Sequence, residues 1–311
     1  MSPKATRKSF GETILKLGES DNRIVVLDAD LSKSTQSSLF AARFPDRFFE
    51  MGIAEANMIG TAAGLAYSGK IPFICSFAVF ITGRFDIIRM SIAYGGANVK
   101  IVGTHAGIGI GEDGNSQMGL EDIALMRTFP NMYVVQPADD LEACQSVLRS
   151  IEHEGPVYLR LTRQTVPDVH PANYRFEFGR SPVIKPGNDI TIFATGGLVG
   201  NALTAANELE KESISARVIN ISSIKPIDEE TIVDAARETG RALTFEDHTI
   251  RGGMGSAVCE VLAEHHPIIV KRIGLNETFG ESGTPDDLYR KYGLSSEGVY
   301  NTTRKFLSEI K

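Results

Sequence analysis

Residues 48–77 read FFEMGIAEANMIGTAAGLAYSGKIPFICSF, and this stretch decides the fold class. Its central part is rich in small residues that let a helix pack closely, and the apolar run PFICSF that follows it has the length and composition of a buried strand. A helix that leads into a buried strand is typical of proteins in which helices cover a parallel sheet. The stretch therefore predicts an α/β fold.

The same alternation extends along the rest of the chain. Further strand patterns before residue 165 are RIVVLDADL (23–31), VKIVGT (99–104), MYVVQP (132–137) and VYLRLT (157–162). A second series comprises DITIFATG (189–196), SARVINISS (215–223), RALTFEDH (241–248) and IIVKRIGLN (268–276). Helical patterns separate these strands, which indicates mainly parallel sheets with helices on both faces. We therefore expect two doubly wound domains, over residues 1–165 and 188–311, and a proline-containing linker draped over the surface at residues 166–187.

The composition excludes several classes of protein. The chain has 311 residues, of which 42% are hydrophobic and 23% charged, as in an ordinary globular protein. Its formal net charge is -7 and it has no lysine- or arginine-rich run, so nucleic acid is not an expected partner. No stretch approaches the ~18 consecutive apolar residues of a membrane span, and no signal-peptide core is evident. We expect a cytoplasmic protein without a membrane partner, and its three widely spaced cysteines are expected to be reduced thiols.

The stretch GTHAGIGIGEDGNSQ (103–117) contains the glycine spacing G-x-G-x-x-G. In a dinucleotide-binding fingerprint, these glycines would open a helix whose amides hold a diphosphate. Here Glu112 and Asp113 lie between the last two glycines and would repel a diphosphate, and the next helical pattern starts only near Leu120. The glycines instead predict a tightly folded loop that presents polar side chains to a pocket, namely His105, Glu112, Asp113 and Gln117.

Two long runs resemble a known family. Residues 48–90 and 104–131 resemble the pyrimidine-binding domain of transketolases, the thiamine-diphosphate enzymes that move two-carbon ketol units. The likeness continues through YLRLTRQ, and the strings KPI, LTFEDH and GGMGSAV resemble the family's C-terminal domain. The resemblance covers essentially the whole chain. It implies a thiamine-diphosphate pyrimidine-binding domain with a parallel sheet, followed by a transketolase C-terminal-like α/β domain.

The part of a transketolase that holds the diphosphate of the cofactor has no counterpart in this sequence. Transketolases use an N-terminal domain with a metal and a GDG-to-Asn motif, whereas this chain contains no GDG, and its EDG at 112–114 is in the wrong place. The resemblance therefore implies one subunit of a split transketolase that is active only with a separate diphosphate-binding subunit. That partner would hold the diphosphate and magnesium or calcium, so no metal ligand is expected here. Self-association through both domains would give a heterotetramer.

The resemblance assigns cofactor contacts to residues that follow the predicted strands. Glu55, in GIAEANMIG, aligns with the catalytic glutamate that hydrogen-bonds a ring nitrogen of the aminopyrimidine and so promotes ionisation of the thiazolium carbon. The strongly apolar helix that follows independently indicates a buried carboxyl that needs a partner. Other cofactor contacts are expected from Phe77, Phe80, Asp30 and Leu31, with Phe80 as the stacking ring. Gly83 stands where the family often has an aromatic or cationic side chain.

Substrate contacts are assigned to a second group of residues. Arg7, Ser34 and Arg163 match family positions that bind the sugar phosphate, and the planar fork of an arginine can pair with two phosphate oxygens at once. His105 lies close to the phosphate as well. His105 and Asp113 match residues that hydrogen-bond sugar hydroxyls near the reacting carbonyl, so His105 is also a catalytic candidate.

Gln117 is a further substrate candidate. It stands where many members of the family have a histidine, and it can hydrogen-bond but cannot titrate near neutral pH. This replacement makes a proton shuttle at that position doubtful.

Four alternatives remain open at this point. The chain could be the beta chain of a thiamine-dependent 2-oxo acid dehydrogenase, the C-terminal half of a deoxyxylulose-phosphate synthase, or a noncatalytic regulatory chain of the same fold. It could also belong to a specialised transketolase for an unusual phosphorylated or sulfonated sugar, because sulfonate and phosphate look alike to an arginine clamp. The phosphate set Arg7, Ser34 and Arg163 and the string THAGIGIGEDG disfavour the dehydrogenase.

Overall fold

Strands and helices alternate along residues 3–309, the part of the chain that the computed structural model describes. The strands are β1 (Lys4–Ala5), β2 (Ile24–Asp28), β3 (Phe48–Glu50), β4 (Ile71–Phe77), β5 (Lys100–Thr104), β6 (Tyr133–Val135), β7 (Val157–Arg160), β8 (Thr165–Val166), β9 (Val183–Lys185), β10 (Ile190–Ala194), β11 (Ala216–Asn220), β12 (Ser223–Lys225), β13 (Arg241–Thr249) and β14 (Ile269–Leu275).

The α-helices are α1 (Thr6–Ser20), α2 (Ser32–Thr35), α3 (Ser38–Arg43), α4 (Glu55–Tyr67), α5 (Ala78–Thr82), α6 (Phe85–Ile87), α7 (Asp122–Arg127), α8 (Asp140–Glu152), α9 (Leu198–Lys211), α10 (Glu229–Thr239), α11 (Met254–His265), α12 (Pro285–Lys291) and α13 (Ser296–Glu309). Shorter 3-10 segments are Pro45–Arg47, Ile108–Asp113 and Asn115–Gln117, and a π-helical segment is Ile88–Ala93. None of the helices within residues 3–309 has both the length and the apolar character that a membrane span requires.

The first domain is built on a seven-stranded sheet with the order β12-β6-β7-β5-β4-β2-β3. All neighbouring strands in it are parallel except β12 and β6. Strand β4 is buried along its whole length, as expected for a central strand that is covered on both faces. The structure confirms the α/β fold predicted from residues 48–77, which contain β3, α4 and β4.

The second domain is built on a five-stranded sheet with the order β14-β13-β10-β11-β9. Only β9 is antiparallel to its neighbour. The sheet confirms the second α/β unit, and its four parallel strands are the four that the sequence predicts.

The segment expected to be a surface linker is packed against both domains. Residues 165–166 form β8, which pairs with β1, and residues 183–185 form the edge strand β9 of the second sheet. Phe176 is fully buried among apolar side chains of the first domain, and the ring of His170 contacts the carboxyl of Asp139 at 2.9 Å. The segment is therefore more than a connector draped over the surface. The predicted domain limits themselves stay a prediction.

An edge strand of the first sheet is supplied by the chain of the second domain. Strand β12 pairs with β6 so that Ser223 lies opposite Val135 and Lys225 opposite Val134. The Lys225 Nζ donates to the carbonyl of Arg127 at 2.9 Å. The two domains therefore share a sheet. The sequence did not predict this sharing, because a three-residue strand is too short to show a periodic pattern.

A buried ion pair lies where the two domains meet. Arg160 donates to both carboxylate oxygens of Asp122, at 2.7 and 3.0 Å, and both side chains are at most 1% exposed. Arg160 also donates to the carbonyl of Asp247 in the second domain at 2.9 Å, and the Tyr158 hydroxyl donates to Asp122 at 2.6 Å. Burial acts to raise the pKa of Asp122, but the Arg160 guanidinium outweighs burial and holds that pKa below its usual range. The pair thus fixes the second domain against the first.

Candidate functional site

The predicted site residues gather at one edge of the first sheet. Strands β7, β5, β4 and β2 are parallel neighbours, so their carboxyl ends meet at this edge. The predicted residues that end or follow these strands are Arg163, His105, Phe77, Phe80, Asp30 and Leu31. Arg7, in the first turn of α1, reaches the same place, since its Nη1 lies 3.3 Å from His105 Nε2 and donates to the Ser34 carbonyl at 2.5 Å. The fold thus brings Arg7 against His105, 98 positions further along the chain.

Glu55 is the first residue of α4, and it is only 5% exposed. Among residues 3–309, its carboxyl has no hydrogen-bond or ion-pair partner. Although Glu55 as a whole is nearly buried, its carboxyl oxygens keep contact with solvent, so a bound group can reach them. The position suits a proton shared with a ring nitrogen of a bound heteroaromatic molecule.

Three aromatic rings contact one another beyond the end of β4. The Phe77 ring lies 4.0 Å from the His105 ring and 5.8 Å from the Phe80 ring, centroid to centroid, and is nearly parallel to Phe80. Phe77 is buried, whereas Phe80 is partly exposed. Phe80 therefore keeps ring surface for stacking, and Phe77 supports it. At the end of α5, Gly83 adds no side chain, and a Cβ there would lie 2.9 Å from the Val79 carbonyl oxygen.

The loop after β2 is organised by Asp28, a residue that the sequence analysis did not select. Its carboxylate accepts hydrogen bonds from the Leu31 amide at 2.7 Å and from the Thr35 and Ser37 hydroxyls at 2.7 and 2.8 Å. Burial raises the pKa of Asp28 to about 6. In the sequence, Asp28 could be noticed only as an acid at the last position of an apolar strand. The hydrogen bonds that distinguish Asp28 from its neighbour appear only in the structure.

Asp30 itself is exposed and has a positive φ of 62°. Its backbone amide donates to Glu50 Oε1 at 2.7 Å, and Glu50, another residue that was not selected, also accepts from the Gly52 amide at 3.2 Å. Leu31 is partly buried and packs against the apolar cluster that contains Phe77. Asp30 and Leu31 therefore face the site edge from a loop that Asp28 and Glu50 hold in place.

Two arginines form a positively charged corner of the site. Arg7 Nε is buried and has no hydrogen-bond partner among residues 3–309. Burial lowers the pKa of Arg7, and the nearby positive charge of Arg163 lowers it further. Arg163 donates to the carbonyl of Ile110 and lies 3.5 Å from the exposed carboxylate of Glu112. A corner with two guanidinium groups and a buried unpaired donor suits an anionic ligand.

His105 uses both ring nitrogens within the protein. Its Nδ1 lies 2.9 Å from the Thr104 hydroxyl, and its Nε2 faces the Arg7 guanidinium, which can only donate, so Nε2 is the acceptor and Nδ1 carries the proton. Burial lowers the pKa of His105 to about 3, and the charges of Arg7 and Arg163 contribute. The imidazole is therefore neutral near pH 7. It can orient Arg7 by accepting from its Nη1, but it is not an imidazolium acid.

We expect the His105 ring to show no titration between pH 5 and 8 when its 15N or ring-proton NMR signals are followed. Because the pKa of His105 is lowered from 6.5 to about 3 on folding, the unfolded chain binds this proton more readily. His105 thus contributes to a loss of stability as the pH falls below 6.5. Arg7→Gln should raise the pKa of His105, whereas Arg180→Gln, which changes an exposed arginine of the segment between the domains, should not. An inflection between pH 5 and 8 in the wild-type chain would contradict the neutral state.

The glycine-rich loop does not form a nucleotide cradle. It folds as two 3-10 segments, and the next α-helix, α7, begins only at Asp122. Asp113 is exposed and Gln117 is partly buried. Within residues 3–309, neither side chain has a hydrogen bond or ion pair with another predicted site residue. The structure therefore places these two residues on the loop that follows His105 but does not join them to the arginine corner.

A cavity of about 380 Å³ lies behind this loop, between the two domains. Its lining includes Gln136, Thr162, Asp247 and Tyr289, and it includes none of the predicted site residues. Within residues 3–309, no group of three or more His, Cys, Asp or Glu side chains is arranged to hold a metal ion. The predicted site residues thus lie at the sheet edge rather than in this cavity.

Comparison with known proteins relates both domains to one family. The family model described as transketolase, pyrimidine binding domain, matches residues 2–169, and the one described as transketolase, C-terminal domain, matches residues 179–299. A solved structure described as a split gene transketolase, inactive beta4 tetramer, is 52% identical to this chain. It matches with a TM-score of 0.91 and covers 98% of each chain.

Two curated relatives are each 40% identical to this chain. One is the 6-deoxy-6-sulfo-D-fructose transketolase subunit SqwH of a Clostridium species, and the match covers 94% of this chain and 91% of that protein. The other is an apulose-4-phosphate transketolase subunit from Phocaeicola vulgatus, and the match covers 98% of each. With both family models matched and relatives of this identity along nearly the whole length, the chain belongs to the transketolase family and comprises its pyrimidine-binding and C-terminal domains.

Proposed function

We propose that this chain is one subunit of a split thiamine-diphosphate-dependent transketolase. The complex transfers a two-carbon ketol unit from a ketose phosphate to an aldose phosphate, and it requires a separate subunit that holds the diphosphate and magnesium or calcium. One observation carries the proposal: a single sheet edge holds Glu55, whose carboxyl has no partner within residues 3–309 and stays open to solvent, together with the arginine corner, which has a buried unpaired donor.

The residues of this chain fit the pyrimidine end of thiamine diphosphate. When bound, the cofactor supplies the carbon nucleophile that takes the two-carbon unit from the ketose. Glu55, which is only 5% exposed, holds a proton between its carboxyl and a ring nitrogen of the pyrimidine. Phe80 stacks on the ring, while Phe77 supports Phe80 from the core. The role of Glu55 thus uses a carboxyl without a partner within residues 3–309, and the role of Phe80 uses a partly exposed ring.

The arginine corner binds the terminal anionic group of the sugar. Within residues 3–309, the buried Arg7 Nε has no acceptor and Arg163 contacts only a carbonyl and the exposed Glu112, so these guanidinium groups retain donors for an anion. Neutral His105 orients Arg7 by accepting from its Nη1. The distance from this corner to the reacting carbon then selects the chain length of the sugar.

Dependence on another subunit is supported by an exposed apolar surface. Ile53, two residues before Glu55, is 83% exposed, and Tyr94, at the end of the π-helical segment, is 84% exposed. Tyr67, at the end of α4, is also exposed, and its hydroxyl contacts the Ser91 carbonyl at 3.4 Å, which joins α4 to the π-helical segment. Exposed apolar groups of this kind mark interaction surfaces. We propose that this surface binds the partner subunit or a second copy of this chain.

Self-association is supported by the relative described as a split gene transketolase, which forms an inactive beta4 tetramer. We propose that this chain likewise self-associates through its pyrimidine-binding and C-terminal domains. Addition of the diphosphate-binding subunit would then give the heterotetramer. Light scattering measures the mass of each assembly, namely the self-associated form in the chain alone and the heterotetramer in the mixture.

The terminal group of the substrate is phosphate or sulfonate. The two curated relatives are named for a sulfonated fructose and for apulose 4-phosphate, so their printed substrates carry different anions. An arginine corner accepts either anion. The decisive assay mixes this chain with the diphosphate-binding subunit, thiamine diphosphate and magnesium, and measures ketol transfer to ribose 5-phosphate. Xylulose 5-phosphate and a sulfonated ketose serve as alternative donors, and a cofactor-loaded complex that turns over neither contradicts the proposal.

We expect Arg163→Gln to raise KM for the phosphorylated ketose about 10- to 100-fold, because it removes a charge-assisted contact to the phosphate. The value of kcat should stay near that of the wild type, since this contact exists equally in the ground and transition states. An uncharged ketose should be affected far less. Arg180→Gln, which removes an arginine that pairs with Glu230 on the second domain, is the matched control. Equal KM values for wild type and Arg163→Gln would contradict phosphate binding by Arg163.

A further inference from the structure

The second domain holds the backbone of the glycine-rich loop. The carboxylate of Asp247, on β13, accepts hydrogen bonds from the amides of Ile108 at 2.9 Å and Gly109 at 3.3 Å. The hydroxyl of Tyr289, on α12, donates to the same carboxylate at 3.1 Å. Asp247 is 138 to 139 positions from the loop amides that it holds. The contact is therefore tertiary and has no local counterpart in the sequence.

The loop glycines are required by this contact. Gly107 has a φ of +82°, and a Cβ added there would lie 2.1 Å from Asp247 Oδ2. A Cβ added to Gly109 would lie 2.3 Å from the Tyr289 hydroxyl oxygen. Neither position can accept a side chain without displacing Asp247 or Tyr289. The glycines thus allow the second domain to approach the loop backbone closely.

The same domain covers the rest of the loop. A Cβ at Gly114, where φ is +80°, would lie 2.4 Å from the Ser282 hydroxyl oxygen. The amide of Gly280 donates to the side-chain oxygen of Asn115 at 3.0 Å. A chain segment rich in glycine loses much conformational freedom on ordering, so these contacts from outside the loop are what fix its position.

The two holding residues belong to rigid elements. Asp247 lies within a nine-residue strand, and its carbonyl accepts from Arg160, which is locked by the buried pair with Asp122. The loop in turn contacts the arginine corner, because the Ile110 carbonyl accepts from Arg163. A shift of the loop would therefore move both the residues it carries and the anchor for the sugar phosphate.

We propose that Asp247 and Tyr289 are positioning residues for ketol transfer, through which the second domain sets the place of the substrate loop. This inference rests on the proposed function of that loop. Substrate placement errors of about 1 Å can cost about a hundredfold in rate, so a loop fixed from the second domain contributes directly to substrate binding. The C-terminal domain then takes part in the reaction although it supplies no group that reacts.

Three variants of the full chain test this role. Tyr289→Phe removes only a hydroxyl, and Asp247→Asn keeps the shape but leaves one oxygen to serve two amides. Tyr300→Phe is the matched control, because its hydroxyl pairs with the exposed Glu212 at the C-terminal end of α9 instead of with Asp247. Hydrogen–deuterium exchange should show the Ile108 and Gly109 amides exchanging at least about fivefold faster in Tyr289→Phe, the effect of losing one hydrogen bond, and faster still in Asp247→Asn.

Kinetics of the assembled complex distinguish a loss of loop positioning from a loss of protein stability. Tyr289→Phe should raise KM for the ketose about fivefold, with wild-type Tm and wild-type affinity for thiamine diphosphate, whereas a purely structural defect would lower Tm and the active fraction without changing KM. Wild-type amide exchange rates in both Tyr289→Phe and Asp247→Asn would overturn the inference. A KM of Tyr289→Phe that matches that of Tyr300→Phe would also overturn it. If the wild-type complex transfers no ketol unit, the proposed function fails, and the exchange rates still decide whether Asp247 and Tyr289 hold the loop.

Discussion

Glu55→Gln should lower kcat of the assembled complex about a thousandfold, within the range of proton-transfer catalysis. Glutamine keeps the shape of the side chain and can still hydrogen-bond, but it cannot exchange a proton with the pyrimidine ring nitrogen. Glu55 is 5% exposed at the start of α4, and its carboxyl has no partner within residues 3–309, so its loss leaves no other charged group unpaired. We therefore expect the variant to fold and to assemble normally.

Steady-state kinetics with saturating thiamine diphosphate measure this effect, and cofactor titration shows whether binding persists. Glu229→Gln is the matched control, because Glu229 is likewise the first residue of a helix, α10, but is exposed on the second domain. A loss of activity in both variants would point to a helix-start effect rather than to catalysis. A wild-type kcat of the Glu55→Gln variant would show that Glu55 is not a catalytic residue.

Arg160→Met should lower the free energy of unfolding by about 3–5 kcal/mol, because it leaves the Asp122 carboxylate buried without its ion-pair partner. The same replacement removes the hydrogen bonds to the Gly119 and Asp247 carbonyls, and so weakens the contact between the domains. Chemical denaturation of the full chain measures the change. A double variant with Asp122→Leu should recover part of the loss, since no buried charge then remains unpaired.

The matched control for this prediction is Arg149→Met. Arg149 pairs with Glu152 at 2.6 Å, but both side chains are exposed, so the free energy of unfolding should stay within error of the wild-type value. Equal losses in Arg160→Met and Arg149→Met would contradict the importance of the buried pair.

The pH dependence of the buried pair has a defined sign. The pKa of Asp122 is lower in the folded chain than its ordinary value of 3.8, so its stabilising contribution is present above pH 3.8 and is lost as the pH falls through the folded value. The difference in unfolding free energy between the wild type and Asp122→Asn should therefore shrink only below about pH 4. A difference that shrinks already between pH 7 and 5 would contradict the lowered pKa of Asp122.

Much of the fold was predictable because its signals are local. Each β-branched run between turn residues, such as the segment that forms β4, identifies a buried strand without reference to the rest of the chain. The parallel arrangement then places the residues after these strands at one edge, which is why Phe77, His105 and Arg163 could be expected near one another. The sheets confirm this arrangement.

Other parts of the site could not be predicted because they depend on burial and on distant partners. Asp28 and Asp30 look alike in LDADL, yet only Asp28 is buried and organises its loop. His105 was a candidate for catalysis, but its neutral state follows from burial and from the charges of Arg7 and Arg163, which are 98 and 58 residues away. No local pattern contains that information.

The sequence by itself determined the strand and helix alternation and the two α/β units, because short-range periodicity and side-chain type are written in the chain, whereas the site residues stay a prediction that rests on the family resemblance. The tertiary structure alone decided that β12 crosses to the first sheet and that Asp247 and Tyr289 hold the glycine-rich loop. The glycines of G-x-G-x-x-G face side chains of the second domain, since Gly109 lies against Tyr289, Gly111 against Pro285 and Gly114 against Ser282. These glycines give room for another domain, and such room is defined only when segments more than a hundred residues apart are packed together.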